Sequence, residues 1–163
     1  MVYIRSLAEN EMEFLQDMMY ESIHIPEDKP PRDVLLNLPH LKKYKDDWGR
    51  RGDRALVAVN NDNQAIAAVW YRLFDEQNKG YGYINNCTPE IGIAVSKEAR
   101  GMGIGSILLH SIIKQAMVDG YKSISLSVDP KNENAVHIYK KQGFKEYGLC
   151  GTSITMVYTL PEQ

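Results

Sequence analysis

The segment spanning residues 103–119 constrains the fold more than any other part of this sequence. Its apolar residues recur at helical spacing, but they cover so much of the helix that most of its surface must be buried. These residues are Ile104, Ile107, Leu108, Leu109, Ile112, Ile113, Ala116 and Met117. Strand-like segments lie on either side, at residues 91–95 and 124–128. The sequence therefore predicts one long helix packed against a sheet.

The other segments complete an α+β pattern, which we expect to form a single domain over residues 1–163. Capping-box spacing at Ser6 and Glu9 predicts a helix to about Ser22, and Asn132 is expected to cap a helix that runs to Gln142. A second helical stretch follows Pro31. Strands are predicted at residues 2–4, 55–59, 65–74, 91–95, 123–128, 144–147 and 153–160. The order β-α-α-β-β-β-α-β-α-β-β predicts a mixed, mostly antiparallel sheet of about seven strands flanked by about four helices.

Composition excludes several classes of protein. Hydrophobic residues make up 44% of the chain and the net charge is −2, which excludes intrinsic disorder. With 19 Lys and Arg against 21 Asp and Glu, the chain lacks the basic excess of a dedicated nucleic-acid-binding protein. The longest apolar run, residues 65–71, is too short to span a membrane. We expect a cytoplasmic protein whose two cysteines, Cys87 and Cys150, stay reduced and are ordinary buried or strand residues.

A glycine-rich loop precedes the long helix, and it carries the chemistry. Residues 100–106 read Arg-Gly-Met-Gly-Ile-Gly-Ser, so three glycines at alternate positions leave backbone amides uncovered. The helix behind the loop adds free N–H groups and the positive end of its dipole, which together favour a pyrophosphate. No lysine follows Gly105, which excludes a P-loop, and neither glycine spacing matches the dinucleotide-binding fingerprint.

The pattern Arg100-x-x-Gly103-x-Gly105 resembles the acyl-CoA loop of the GNAT superfamily of N-acetyltransferases. A second stretch, Asn132-x-x-Ala135-x-x-x-Tyr139-x-x-x-Gly143-Phe144, is similar to the second signature of that superfamily and follows at the expected distance. The two motifs and the strand before the loop cover about a third of the chain, and the order of elements extends the resemblance over nearly all of it.

The resemblance implies acetyl-CoA as cosubstrate and a role for each matching residue. The residues that would hold the pyrophosphate are Arg100, Gly101, Gly103, Gly105 and Ser106. The backbone at Ile93 and Val95 would pair with the pantetheine arm like an added strand, Asn132 would contact that arm, and Tyr139 would stand beside the sulfur. The resemblance suggests no metal requirement, and a homodimer is expected only because many members form one.

The chemistry needs two proton transfers but no enzyme nucleophile, because a neutral amine attacks a thioester directly. Tyr139 is suited to protonate the departing thiolate, and its alternative role is that of a core aromatic residue. Glu90 is the candidate base, because superfamily members often place one at this position. Alternation puts it on one strand face with Gly92 and Ala94, whose small side chains leave room for substrate. Its alternative is a solvated carboxylate; Asp75, Glu76, Tyr81 and Tyr83 are the other candidate bases.

The acceptor is expected to be a primary amine, of a small molecule rather than of a basic protein tail, because the net charge is near zero. Residues 24–53 hold four prolines and several aromatic residues, including Trp48, so this stretch is a candidate substrate-facing region. An aromatic acceptor site is expected from Trp48, Trp70, Tyr71, Tyr81 and Tyr83. The alternatives are a protein N-terminal or lysine acetyltransferase, and an acyl-CoA-binding module without turnover.

Overall fold

The computed structural model describes residues 1–162 and confirms the predicted element order. The strands are β1 (Tyr3–Ser6), β2 (Arg54–Val59), β3 (Ala65–Arg72), β4 (Glu90–Val95), β5 (Ser123–Val128), β6 (Lys145–Cys150) and β7 (Ser153–Thr159). The helices are α1 (Met12–Glu21), α2 (Arg32–Leu35), α3 (Ile104–Val118) and α4 (Glu133–Gln142). Short 3₁₀ turns occupy Glu9–Glu11, Lys42–Tyr44 and Lys97–Ala99.

All seven strands belong to one sheet, in the spatial order β1-β2-β3-β4-β5-β7-β6. Neighbouring strands are antiparallel except β4 and β5, which are parallel. These two strands share a single register pair, Glu90 with Ser125, although each has six residues. The sheet is therefore paired at the start of β4 and opens along the rest of it. The predicted mixed, mostly antiparallel sheet is confirmed.

Local chemistry explains the ends of the two long C-terminal helices. Gly103 precedes α3 with φ of +76°, a left-handed conformation that glycine adopts without a steric penalty. The Asn132 side chain accepts a hydrogen bond from the Ala135 N–H at 3.4 Å and caps α4, as expected. Gly143 ends α4 with φ of +112°. Both sequence motifs therefore coincide with helix boundaries.

The predicted capping box at Ser6 is wrong. Ser6 is the last residue of β1 and pairs with Leu56 of β2, so its backbone is committed to the sheet. The first helical turn begins after Ala8, whose N–H donates to the Glu11 carboxylate at 2.8 Å. Arg5 donates to the same carboxylate at 2.7 Å and stabilises the negative charge. Sheet pairing thus moves the start of the helix beyond the local signal.

The two sheet faces bury separate apolar cores. Helices α3 and α4 cover one face, where the fully buried residues include Val69, Tyr71, Leu108, Leu109, Ile112, Ile124 and Met156. Helix α1 covers the other, where the buried residues include Leu15, Met18, Met19, Val57, Ala68, Trp70 and Ala94. Of the eight apolar residues predicted for the helix after the loop, six are buried and Met117 is partly buried, but Ile107 is 44% exposed. Within residues 1–162 no helix combines the length and the apolar character that crossing a membrane requires.

Gly92 does not provide the open space that we expected beside Glu90. A Cβ atom on Gly92 would lie 2.5 Å from ring atoms of Trp70, its cross-strand neighbour on β3. The Trp70 indole, 4% exposed, therefore fills the volume that a side chain at this position would need. Glycine is required here for close packing, and not for substrate access.

We expect Gly92→Ala to lower the free energy of unfolding by about 1–3 kcal/mol, because the added methyl group forces the Trp70 ring out of its position. Gly148→Ala on β6 is the matched control, since no atom lies within 4 Å of the point that a Cβ on Gly148 would occupy. It is expected to change stability by less than about 0.5 kcal/mol. Urea unfolding measures both; equal effects would contradict this explanation of Gly92.

Candidate active site

The opening between β4 and β5 leaves one edge of β4 without a neighbouring strand. At the start of the opening, the Ser125 N–H donates to the Pro89 carbonyl at 3.0 Å. Backbone groups alternate between the two edges of a strand, so Ile93 and Val95 direct theirs toward the same edge as Pro89. These are the two residues that the sequence predicted to pair with an extended ligand. Their exposed edge can accept such a partner by strand addition.

The glycine-rich loop lies at the far end of this edge. Gly101 and Gly103 have φ of +81° and +76°, and no atom lies within 4 Å of the position of a Cβ on Gly101, Gly103 or Gly105. The packing of this chain therefore does not require glycine at these positions. The bare backbone instead exposes the amides at the N-terminus of α3, which suits an anionic ligand. Ser106 lies in the first turn of that helix.

Arg100 is placed beside the loop but is engaged by other groups. Its side chain is 53% exposed, and its guanidinium lies 3.2 Å from the Glu21 carboxylate and donates to the Val95 carbonyl at 3.2 Å. Lys29 and Lys97 lie near the same carboxylate. Burial lowers the pKa of Lys29; Glu21 opposes that shift, and the charges of Lys97 and Arg100 add to it. Glu21 therefore has more than one cation near it, and its contact with Arg100 is not the only interaction of this carboxylate.

Tyr139 lies on α4 and packs against the core on the α3 side of the sheet. Its ring is 5.8 Å from that of Phe144, and burial raises the pKa of its phenol to about 12. The hydroxyl therefore keeps its proton at neutral pH, as a general acid must. Asn132 caps the same helix. The structure thus places two residues of the second motif, Asn132 and Tyr139, on one helix on the α3 side of the sheet.

Glu90 is buried at the start of the opening, with 7% of its surface exposed. One carboxylate oxygen accepts from the Tyr44 hydroxyl at 2.8 Å and the other from the Gly82 N–H at 3.0 Å. Burial raises the pKa of Glu90 to about 7, although both hydrogen bonds and the charge of Lys43 oppose the shift. It is therefore not the solvated carboxylate of the alternative interpretation. A carboxyl group that titrates near neutrality is suited to act as a base.

Two glycines in the loop before β4 allow the chain to close over Glu90. A Cβ on Gly80 would lie 2.2 Å from a Glu90 carboxylate oxygen, and one on Gly82 would lie 2.8 Å from the Leu126 backbone. The Tyr81 N–H between them donates to the Tyr44 hydroxyl at 2.7 Å. Sequence reasoning missed this contribution. The available signal was the repeated glycine in Gly80-Tyr81-Gly82.

The candidate acid and base lie on opposite faces of the sheet. Tyr139 packs on the face covered by α3, whereas Glu90 shares its face with Gly92, which packs against Trp70 under α1. Only the opening between β4 and β5 connects the two faces at this position. A donor bound on one side can therefore meet an acceptor that arrives from the other.

Ser125 stands opposite Glu90 at the point where β4 and β5 separate. Its side chain is fully buried, and its hydroxyl has no hydrogen-bond partner among residues 1–162. An unpaired buried hydroxyl is unfavourable, so it marks a place where polar contacts are incomplete without a ligand or water.

The other candidate bases have different roles. The Asp75 carboxylate accepts from the Gln77 and Asn78 N–H groups within its own turn, and Glu76 is exposed. Tyr81 contributes its backbone N–H to the Tyr44 hydroxyl, and the Tyr83 hydroxyl bonds Asn86.

The expected aromatic acceptor site is wrong in its main members. Trp70 and Tyr71 are adjacent on β3 and are buried in the cores of opposite sheet faces. Trp48 stacks on the buried guanidinium of Arg72, with 5.1 Å between the Arg72 Cζ atom and the ring centre. Alternation along β3 made a shared site impossible for its two neighbouring aromatic residues.

Sequence reasoning also missed the residues that surround Glu90 on the α1 side. Tyr44 was recognised only as one aromatic residue in a proline-rich stretch, and Arg72 and Asp53 were not considered as site residues. Arg72 lies inside the strand predicted at residues 65–74 and Asp53 lies just before the one at residues 55–59, so the local pattern assigned neither residue to the site. The contacts that join them are between residues far apart in the chain.

Within residues 1–162, no three His, Cys, Asp or Glu side chains come together in a way that would hold a metal ion. Cys87 and Cys150 are free thiols and both are exposed, so neither is buried as the sequence suggested, although Cys150 ends β6.

Comparisons with known proteins agree with this geometry. The model of the acetyltransferase (GNAT) family matches residues 15–144. The chain is 32% identical to mycothiol acetyltransferase of Paenarthrobacter aurescens over 93 residues, which are 55% of this chain and 26% of that protein. It is 28% identical to streptothricin acetyltransferase A of Bacillus subtilis over 126 residues, which are 74% of this chain and 65% of that protein. The chain thus spans less than two thirds of the length of these relatives.

A solved structure shares the whole fold. Spermidine N-acetyltransferase from Vibrio cholerae, in complex with CoA and spermine, superimposes with a TM-score of 0.67 over 98% of this chain and 95% of that one. The sequence identity is 19%, so this likeness concerns the fold alone. The family match extends over most of the chain and includes both the glycine-rich loop and the motif on α4. The chain therefore belongs to the GNAT family of acetyltransferases.

Proposed function

We propose that this protein transfers an acetyl group from acetyl-CoA to the primary amine of a small molecule. The observation that carries the proposal is Glu90, a buried carboxyl group with a pKa of about 7 at the start of an opening in the sheet. A glycine-rich anion site lies at the other end of that opening. Donor binding and base catalysis are therefore supported by two independent parts of one cleft.

The residues beside the opening fit acetyl-CoA. The amides of Gly101, Gly103, Gly105 and Ser106 would hold its pyrophosphate, and Arg100 would exchange Glu21 for a phosphate. The edge of β4 at Ile93 and Val95, which no strand covers, would bind the pantetheine arm by strand addition once Arg100 releases the Val95 carbonyl. Asn132, whose side chain caps α4, would contact the same arm.

Two side chains carry out the proton transfers of the proposed reaction. When bound, acetyl-CoA supplies the acetyl group as a thioester, whose carbonyl carbon forms a bond to the amine nitrogen and loses its bond to sulfur. Glu90 accepts the proton that the amine gives up, and its pKa near neutrality suits this exchange. Tyr139 donates a proton to the departing sulfur, and its raised pKa keeps that proton available.

The acceptor class follows from several observations. Streptothricin and spermidine, named in the relatives described above, are small molecules that carry amines. The near-zero net charge gives this chain no general attraction for a basic protein tail. A peptide or lysine acceptor, and acyl-CoA binding without turnover, are the outcomes that the following experiments would identify instead.

CoA is expected to raise the melting temperature by binding the folded state. Gly103→Ala should abolish most of that rise, because a Cβ atom and a strained left-handed backbone disturb the anion site. Gly120→Ala is the matched control, since Gly120 also has a positive φ and open space but lies at the other end of α3. Thermal unfolding with and without CoA measures this. Equal loss of the CoA effect in both variants would contradict the site.

Tyr139→Phe is expected to lower kcat by about 10²-fold with little change in CoA affinity, because it removes the proton donor but keeps the ring packing. Tyr158→Phe changes a neighbouring tyrosine of the same aromatic cluster and should keep wild-type kcat. Steady-state rates and CoA titrations test both. A wild-type rate in Tyr139→Phe would leave Tyr139 as a packing residue.

Glu90→Gln is expected to lower kcat/KM by about 10²-fold or more above neutral pH. The ratio of wild-type to variant kcat/KM should rise with pH up to about 7 and then level off, because the ionisation of Glu90 is the difference between them. The ionisation of the acceptor is common to both proteins and cancels in this ratio. A ratio that does not vary with pH would contradict the role of Glu90 as base.

Stability provides a check that does not depend on activity. Folding raises the pKa of Glu90 from 4.5 to about 7, so the folded state holds a proton that the unfolded state releases in this range. The free energy of unfolding of the wild type should therefore fall, relative to Glu90→Gln, as pH rises from about 4.5 to about 7. The expected total is about 3 kcal/mol.

A further inference from the structure

Arg72 and Glu90 are directly opposite each other on neighbouring strands, yet they do not form an ion pair. They are register partners at the ends of β3 and β4, so their side chains leave the same face of the sheet. Side chains in such pairs have Cβ atoms about 5 Å apart, and opposite charges there attract. The charge that lowers the pKa of Glu90 is that of Lys43, and not that of Arg72.

Asp53 holds the Arg72 guanidinium instead. The two side chains form a double hydrogen bond, with Nε to one carboxylate oxygen at 2.9 Å and Nη2 to the other at 2.8 Å. Both side chains are only 2% exposed, so solvent does not weaken this attraction. The Gly49 and Arg50 N–H groups donate to Asp53 at 2.8 and 3.0 Å and help to orient its carboxylate toward Arg72.

Arg72 uses its remaining donor group to place Tyr44. Its Nη1 atom donates to the Lys43 carbonyl at 2.8 Å and to the Asp46 carbonyl at 2.6 Å, on either side of Tyr44 in the chain. These bonds hold the turn from which the Tyr44 hydroxyl reaches Glu90. The cation thus supports the hydrogen-bond donor of Glu90 while its own charge is neutralised elsewhere.

We propose that Asp53 is a positioning residue for acetyl transfer: by binding Arg72, it prevents that cation from pairing with Glu90 and leaves the carboxyl group free to accept a proton. This inference rests on the proposed function of Glu90 as base. Without Asp53, the buried guanidinium has two other acidic groups near it: Glu90, directly across the strands, and Asp46, whose pKa the charge of Arg72 already lowers. An ion pair would keep Glu90 ionised and make it a poor proton acceptor.

The groups that face Glu90 from each neighbouring element determine what a pH experiment reports. Lys43 and Tyr44 approach from the 3₁₀ turn, Arg72 from β3 and the Tyr81 backbone from the following loop. On the β5 side the neighbour is the uncharged Ser125. Substitution of Asp53 leaves all of these groups in the chain; it changes the partner of Arg72 and the acceptor of the Gly49 and Arg50 N–H groups.

The test compares Asp53→Asn with the double variant Asp53→Asn/Arg72→Gln. For each, kcat/KM is divided by that of the same protein with Glu90→Gln, so that the acceptor ionisation cancels. Asp53→Asn should move the inflection of this ratio below its wild-type position by about one pH unit or more, since a facing cation lowers a carboxyl pKa by about 1–3 units. The double variant carries neither charge and should return the inflection near its wild-type position.

A carboxyl ¹³C titration of the full chain, assigned by the resonance lost in Glu90→Gln, provides a second measurement that needs no turnover. The Glu90 titration should shift in the same direction in Asp53→Asn. If Asp53→Asn does not fold, the same titration is carried out on Arg72→Gln. In that variant Arg72 no longer neutralises the Asp53 carboxylate, whose negative charge should raise the pKa of Glu90. An unshifted Glu90 titration in these variants, accompanied only by lower stability, would overturn the proposal and leave Asp53 as a structural residue.

The two measurements separate this inference from the proposed function. If the Glu90 titration shifts but the rate profile does not, Asp53 shields Glu90 and Glu90 is not the base. If Glu90→Gln removes the acidic inflection but Asp53→Asn moves neither measurement, Glu90 is the base and the role of Asp53 is overturned.

Discussion

The carboxyl group of Glu90 is buried without a cation bound to it, and the structure around β4 depends on accommodating that group. Burying a carboxylate is unfavourable unless hydrogen bonds or a counter-ion compensate it. Here Tyr44 and Gly82 donate to it, and two glycines let the loop approach closely enough to do so. The result is a pKa of about 7, which a fully ion-paired carboxylate would not have.

The separation of β4 from β5 begins at this buried group. The strands are joined only at Glu90 and Ser125, so the first position of β4 is held firmly and the following edge is open. The glycine-rich loop follows the end of that edge, and Glu90 lies at its start. One interruption in sheet pairing therefore leaves an edge of β4 without a neighbouring strand between a buried carboxyl group and a loop of exposed amides.

Three other carboxylates of this protein each pair with a different arginine, whereas Glu90 pairs with none. Asp53 binds Arg72, Glu21 lies against Arg100, and Glu11 binds Arg5, whereas Glu90 has only hydrogen-bond donors. The Asp53–Arg72 pair is buried and makes six hydrogen bonds, two between the partners and four to surrounding backbone groups. Such a complete network compensates the desolvation of both ions, so exchange of partners with Glu90 is unfavourable.

The sequence by itself determined the element order, the buried helix α3, the cap at Asn132 and the glycine-rich loop, because these depend on periodicity and on backbone requirements of neighbouring residues. Glu90 and Tyr139 were also predicted, from a resemblance carried by local motifs. Tertiary structure alone decided three other features. Ser6 pairs within the sheet and does not cap a helix, and the Trp70 ring occupies the space beside Gly92. Arg72 forms its ion pair with Asp53 and not with Glu90. The reason is that pairing between distant segments decides which groups share a buried volume, and burial then decides the pKa of a carboxyl group and its choice of partner.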